Sequence, residues 1–211
     1  MNADLRQKVV AVARRMVAEG LNKGAAGNLS VRCDDGFLIT PTGMPPEAFD
    51  ASDVVAMDMD GHYQGPRKPS SEWYFHRDIY AARPEAGAVL HAHSPFATAL
   101  ACLRREIPPF HYMIARFGGT TVRCADYATF GTPALSVAAL AALAGRSACL
   151  LANHGMLLFG RDADDALALG VELETLCEQY WRALLAGQPV LLDDAEMQRV
   201  LEKFKHYGQQ D

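Results

Sequence analysis

Residues 70–94 read SSEWYFHRDIYAARPEAGAVLHAHS, and the change of pattern inside that stretch decides the fold. Ser71–Arg83 predicts a helix that Pro84 stops, because proline lacks the backbone donor and disfavours a helical residue before it. Ala88–His91 is a short apolar run and predicts a buried strand. Ser94-Pro95 then opens another helix, with serine at the N-cap and proline at the first helical position, leading into Phe96–Leu103. Glu72 therefore stands at the head of a helix, and His91 and His93 stand at the end of a strand. Side chains alternate along a strand, so His91 and His93 share a face. Paired imidazoles at a strand end suit a divalent metal. A third histidine lies in Asn153-His154-Gly155, directly after the apolar run Ala148–Ala152. Three histidines and a carboxylate make a metal site with room for a substrate.

On the N-terminal side, Leu5, Val9, Val12, Met16 and Val17 recur at helical spacing, with Asp4 near the start and Gly20 at the end. The glycine-rich loop NKGAAGN follows. Asp35-Gly36 predicts a hairpin turn between Asn28–Arg32 and Phe37–Thr40, and Asp60-Gly61 a second one between Val54–Asp58 and His62–Gln64. On the C-terminal side, Thr120–Cys124, Ala148–Ala152 and Met156–Phe159 read as strands. Pro133–Ala144, Ala163–Ala186 and Asp193–Tyr207 read as helices. Hairpins mixed with helices, without regular β-α-β alternation, predict an α+β fold with helices on a mostly antiparallel sheet. No linker divides the chain, so residues 1–211 read as a single domain.

With 211 residues, half of them hydrophobic, the chain can bury a sizeable core. A formal charge of −5 and no basic stripe argue against nucleic acid as the main partner. No apolar run approaches the roughly 18 residues of a membrane span, so no membrane partner is expected. MNADLRQKVV lacks the apolar segment of a signal peptide. Cys33, Cys102, Cys124, Cys149 and Cys177 are scattered, odd in number and never in Cys-x-x-Cys. They read as reduced thiols buried as small hydrophobes, hence a cytoplasmic protein.

Three small polar turns, Gly27-Asn28, Thr42-Gly43 and Ser70-Ser71, offer hydroxyl, amide or unhindered backbone donors of the kind that hold a phosphate without lysine. Each also has a plainer reading, Ser70 or Ser71 as a helix cap and the others as ordinary turns. Together with the histidines they carry a resemblance. Ser-Ser-Glu, His-x-His and Asn-His-Gly, with KPSSEW, FHYMIA, YATFGT and LEKFKHYG around and beyond them, resemble the class II aldolase/adducin family over nearly the whole chain.

The resemblance implies a three-layer α/β/α arrangement and a zinc ion, one per subunit, bound by His91, His93 and His154. Glu72 is implied as acid/base and as a possible fourth ligand when substrate is absent. Asn28, Thr42, Gly43, Ser70 and Ser71 fall where the family's ketose-1-phosphate aldolases hold the substrate phosphate, with Gly27 in the same loop. Tyr112 matches a tyrosine reaching the site from a neighbouring subunit, and Tyr207 one on the C-terminal segment. A homotetramer with sites between subunits is implied. The expected reaction is metal-dependent cleavage of L-fuculose 1-phosphate, or of a related 5-deoxyribulose or 5-methylthioribulose 1-phosphate, into dihydroxyacetone phosphate and a small aldehyde. Two alternatives stay open: an epimerase or dehydratase on similar phosphates, and a non-catalytic interaction module like the adducin head. The second alternative predicts a damaged histidine set, whereas all three histidines and Glu72 are present. His76 and His111 read as structural hydrogen-bonding residues.

Overall fold

The computed structural model describes residues 2–206. Within them the strands are β1 (Asn28–Cys33), β2 (Gly36–Ile39), β3 (Val55–Met57), β4 (Tyr63–Gln64), β5 (Ala88–Ala92), β6 (Arg123–Ala125), β7 (Ala148–Leu151) and β8 (Gly155–Gly160). They form one sheet in the order β4-β3-β2-β1-β5-β8-β7-β6. Every neighbouring pair is antiparallel except β6 and β7. The helices are α1 (Ala3–Ala18), α2 (Trp73–Ala82), α3 (Pro95–Cys102), α4 (Pro133–Ala142), α5 (Ala163–Ala186) and α6 (Asp194–Phe204), with a 3-10 turn at Tyr112–Phe117.

Two hydrophobic cores lie on opposite faces of the sheet. Val9 and Met16 of α1, Leu100 of α3 and Leu173 of α5 pack on one side with Leu29, Leu90 and Leu158 of the strands. Phe75 and Ile79 of α2 and Leu135 of α4 pack on the other with Val89, Leu157 and Phe159. Strands buried on both faces read as continuous apolar runs, which is why Ala88–His91 and Ala148–Ala152 show no polar alternation. The result is the three-layer α/β/α arrangement, with α1, α3 and α5 over one face and α2 and α4 over the other.

Several boundaries move. The first hairpin turns at Asp34-Asp35, because Gly36 already pairs with Cys33. The strand expected at Thr120–Cys124 pairs with β7 only over Arg123–Ala125, and Val122 makes an isolated bridge with Ile107 instead. The helix after Ser70-Ser71 starts at Trp73 with Glu72 at its N-cap, so neither serine occupies the cap. Ser94 does occupy the N-cap of α3, yet its hydroxyl caps nothing. It donates to Glu174 Oε2 (2.6 Å), and the Glu174 carboxylate of α5 accepts from Phe96 N (2.7 Å) and Ala97 N (2.9 Å). A charged acceptor from another helix thus does the capping, and ties the end of the His91–His93 stretch to α5. The 3-10 turn has no apolar period to announce it. All the cysteines are free, with Cys149 and Cys177 buried, while Cys102 is exposed against expectation. No described helix is long and apolar enough to cross a membrane.

Candidate active site

Three loops are pinned together at one edge of the central strands. Ser70 N donates to Thr40 O (3.0 Å), Thr42 N to Lys68 O (3.1 Å), and Leu29 N to Thr40 Oγ1 (3.2 Å). These bonds bring the start of β1, the turn after β2 and the approach to α2 to one place. Gly27 is required there. Its φ is +73°, and a Cβ would lie 2.3 Å from Asn22 Nδ2, so no L side chain fits. Gly155 is required for another reason: a Cβ there would lie 2.4 Å from Ala92 O, and the backbone beside His93 must approach that closely.

The walls enclose a cleft of about 430 Å³, lined by Gly27, Asn28, Thr42, Gly43, Ser70, Ser71, Glu72, His93 and His154, with Tyr127 and Phe130 at its side. That volume suits a small ligand. His91 lies buried beneath, on β5, between β1 and β8. Its Nδ1 donates to Met156 O (2.8 Å), which leaves Nε2 as a lone pair. That nitrogen lies 2.9 Å from His93 Nε2, and the candidate ligand atoms of His91, His93 and His154 all lie within 4.8 Å of one another. The rings stand nearly edge to face, with centroids 4.7 to 4.9 Å apart.

Glu72 faces this cluster. Its Oε2 is 3.2 Å from His91 Nε2, and its Oε1 is 3.3 Å from His154 Nε2. Asn28 Nδ2 donates to Oε2 (3.0 Å), whereas Oε1 is buried and accepts no hydrogen bond. Loss of hydration pushes the imidazoles below their ordinary range, His91 to about 3 and His154 to about 4, with His93 lowered by the same cause. Neighbouring imidazoles add to the effect at His91 and His154, and the Glu72 charge opposes it at His93 and His154. At neutral pH the cluster therefore offers uncharged nitrogen donors. Converging lone pairs beside a carboxylate oxygen without a donor fit a divalent cation, and a nitrogen-rich set with one carboxylate fits the zinc-like end of the series.

The cleft thus gathers the expected ligands, Glu72 and the expected phosphate residues. Tyr112 is not in it: in its own chain it stands half exposed on the 3-10 turn, in a separate groove with Phe110, Leu192 and Phe204. Tyr207 lies outside the described residues. His76 and His111 make structural hydrogen bonds, the latter accepting from Met113 N (3.3 Å). Asn22 was not singled out by the sequence. Its Oδ1 accepts from His93 N (3.0 Å) while its side chain underlies Gly27, so it links the small-residue loop to the histidine strand. Only the Gly-rich loop downstream could have signalled it.

Fold and site together define a metal-dependent lyase of the class II aldolase type. The family described as Class II Aldolase and Adducin N-terminal domain matches residues 7–181, and the chain belongs to it. The chain is 56% identical over 204 residues to 5-methylthioribulose-1-phosphate/5-deoxyribulose-1-phosphate aldolase of Rhodospirillum rubrum, covering 97% of this chain and 92% of that one. It is 45% identical over 205 residues to L-fuculose phosphate aldolase of Escherichia coli, covering 97% and 95%. A solved structure of L-fuculose 1-phosphate aldolase superposes with a TM-score of 0.93 at 43% identity, covering 96% of each chain.

Proposed function

We propose that this aldolase cleaves a 5-deoxy- or 5-methylthio-pentulose 1-phosphate, or the related L-fuculose 1-phosphate, into dihydroxyacetone phosphate and a small aldehyde. The observation that carries the reading is the meeting of His91, His93, His154 and Glu72 at the floor of a cleft whose wall is Asn28, Thr42-Gly43 and Ser70-Ser71. The identity with the Rhodospirillum protein supports the pentulose substrates.

His91, His93 and His154 would hold the metal, zinc in this reading, with Glu72 as a further ligand in the absence of substrate. Such an ion supplies Lewis-acid polarisation of the substrate oxygens. The phosphate is held by the Asn28 amide, the Thr42, Ser70 and Ser71 hydroxyls and the backbone donors of the Gly27 and Gly43 turns, with the start of α2 adding its positive end. Loss of the C4 hydroxyl proton lets the C3–C4 bond break and the aldehyde leave. Glu72 delivers a proton to C3, so one proton moves overall from the C4 oxygen to C3; in synthesis Glu72 removes it. Tyr112 of a neighbouring subunit is the donor to the aldehyde oxygen in this reading, with Tyr207 as the second catalytic tyrosine. A Schiff-base route has no suitable amine, since Lys8, Lys23, Lys68, Lys203 and Lys205 are all exposed. The reading includes a cytoplasmic homotetramer. The apolar groove around Phe110, Tyr112 and Leu192 supports a subunit contact there, and the free cysteines support a reducing compartment.

The test is release of dihydroxyacetone phosphate from a panel of ketose 1-phosphates, with and without chelator and added zinc. Metal-dependent release from one of them is expected and names the aldehyde. No release from any, by protein that contains metal, would move the reading to an epimerase or dehydratase.

A further inference from the structure

Glu72, His76 and Tyr80 recur every four residues along the α2 segment, and Asn28, Ser30 and Arg32 every two along β1. Four helical residues rise about 6 Å and two strand residues about 6.6 Å, so the two rows stay in step as they cross. They interlock. Asn28 Nδ2 donates to Glu72 Oε2 (3.0 Å), Asn28 Oδ1 lies 2.6 Å from His76 Nε2, His76 Nδ1 lies 2.7 Å from Ser30 Oγ, and Ser30 Oγ lies 2.8 Å from Tyr80 Oη. At the far end the Arg32 guanidinium lies over the Tyr80 ring and donates to Tyr80 O. Ser30 and His76 are wholly buried, and Tyr80, Asn28 and Glu72 nearly so.

Burial allows one arrangement of the protons. An amide nitrogen facing a carboxylate must be the donor, so Asn28 turns its carbonyl to His76. A carbonyl only accepts, so His76 carries its proton on Nε2. Burial keeps that imidazole neutral, which leaves Nδ1 to accept from Ser30, and Ser30 Oγ to accept from Tyr80. The bonds all run toward Glu72. Rotating the Asn28 amide by half a turn would set its oxygen against the carboxylate and its NH2 against the N–H of His76.

We propose that His76 is a positioning residue: by donating to Asn28 Oδ1 it locks the carboxamide with its NH2 group on the cleft side, one hydrogen on Glu72 and the other left for a phosphoryl oxygen of the substrate. Ser30 and Tyr80 hold His76 in the tautomer this requires. The substrate part rests on the aldolase reading above; the orientation does not.

Nitrogen-15 spectra of histidine-labelled, metal-loaded protein test the orientation directly. His76 is expected as the Nε2–H tautomer with a solvent-protected proton; an Nδ1–H tautomer would overturn the proposal whatever the enzyme cleaves. His76→Gln keeps a donor near the Nε2 position, whereas His76→Leu removes it. Losing a hydrogen bond that presents a charged ligand's partner costs about a factor of ten or more in binding. His76→Leu should therefore raise KM for the ketose 1-phosphate about tenfold or more, and His76→Gln should stay within about threefold of wild type, both with unchanged metal content. Equal loss in both variants, or lost metal in either, would reduce His76 to a packing role and sink the idea. Should the leucine variant not fold, Ser30→Ala takes its place, with a weakened Nε2–H signal expected and an unchanged one counting against the relay. Were the wild type to cleave none of the panel, the aldolase reading would fall separately, and inorganic phosphate would replace substrate as the binding probe with the same variants.

Discussion

At the scale of single residues, the proposed function divides the work between Glu72 and the histidines, and the division can be measured. Glu72→Gln keeps the shape and the Asn28 contact but cannot carry a proton. It should leave metal bound while slowing exchange of the C3 proton of dihydroxyacetone phosphate with solvent by about 10²-fold or more; full exchange would remove Glu72 from its role. His93→Ala removes one of the converging nitrogens, and metal affinity should fall by at least the 10–100-fold typical of losing even an outer-shell partner. An unchanged metal content after dialysis would show that the ligands lie elsewhere. The histidine cluster was legible because strand period two and two short motifs announce it. Asn22 and Glu174 were not, because each acts on a residue 71 to 80 positions away, and nothing near either one in sequence marks the partner.

Elements were read more surely than their ends. The mostly antiparallel sheet follows from the hairpin turns and short apolar runs, the helices over it from helical periodicity and their start and stop residues, and α5 begins and ends where its pattern does. The misplaced ends belong to tertiary contacts, Gly36 pairing with Cys33 and Val122 bridging to Ile107; α3 starts at Ser94-Pro95 as expected, but the acceptor that caps it is supplied by α5. That cap makes a test at this scale. Glu174→Ala leaves two helix-start N–H groups and the Ser94 hydroxyl without their acceptor. Charge-assisted bonds of this kind are worth about 1.5–3 kcal/mol, so unfolding by denaturant should shift by about that much, with little change in slope. Because Ser94 follows His93 directly, metal affinity should weaken as well. A shift below about 0.5 kcal/mol, the level of an ordinary surface change, would show that Ser94 and Pro95 start the helix unaided.

For the molecule as a whole, four histidines held below their ordinary range make stability depend on pH with a definite sign. His76 sits among Asn28, Ser30 and Tyr80 with no carboxylate on its ring, while His91, His93 and His154 face Glu72 and one another. In the unfolded chain each takes up a proton near pH 6.5. In the native, metal-free protein they resist it, His154 down to about 4 and His91 to about 3. As pH falls through 6.5 the unfolded state therefore binds protons the native state refuses, and stability drops with pH, by up to about 1.4 kcal/mol per pH unit for each fully buried imidazole. The exposed aspartates with lowered values, such as Asp50 and Asp164, add loss in the same direction only at more acid pH. The thermal midpoint of chelator-treated protein should accordingly fall between pH 7 and pH 5, before the carboxylates titrate. Bound metal should raise the midpoint at pH 7 and steepen the fall, since protonating a ligand must also release the ion. A midpoint that stays level or rises over that interval in metal-free protein would mean the imidazoles are hydrated and ordinary. The dry, uncharged donor set argued for the cleft floor would then be wrong.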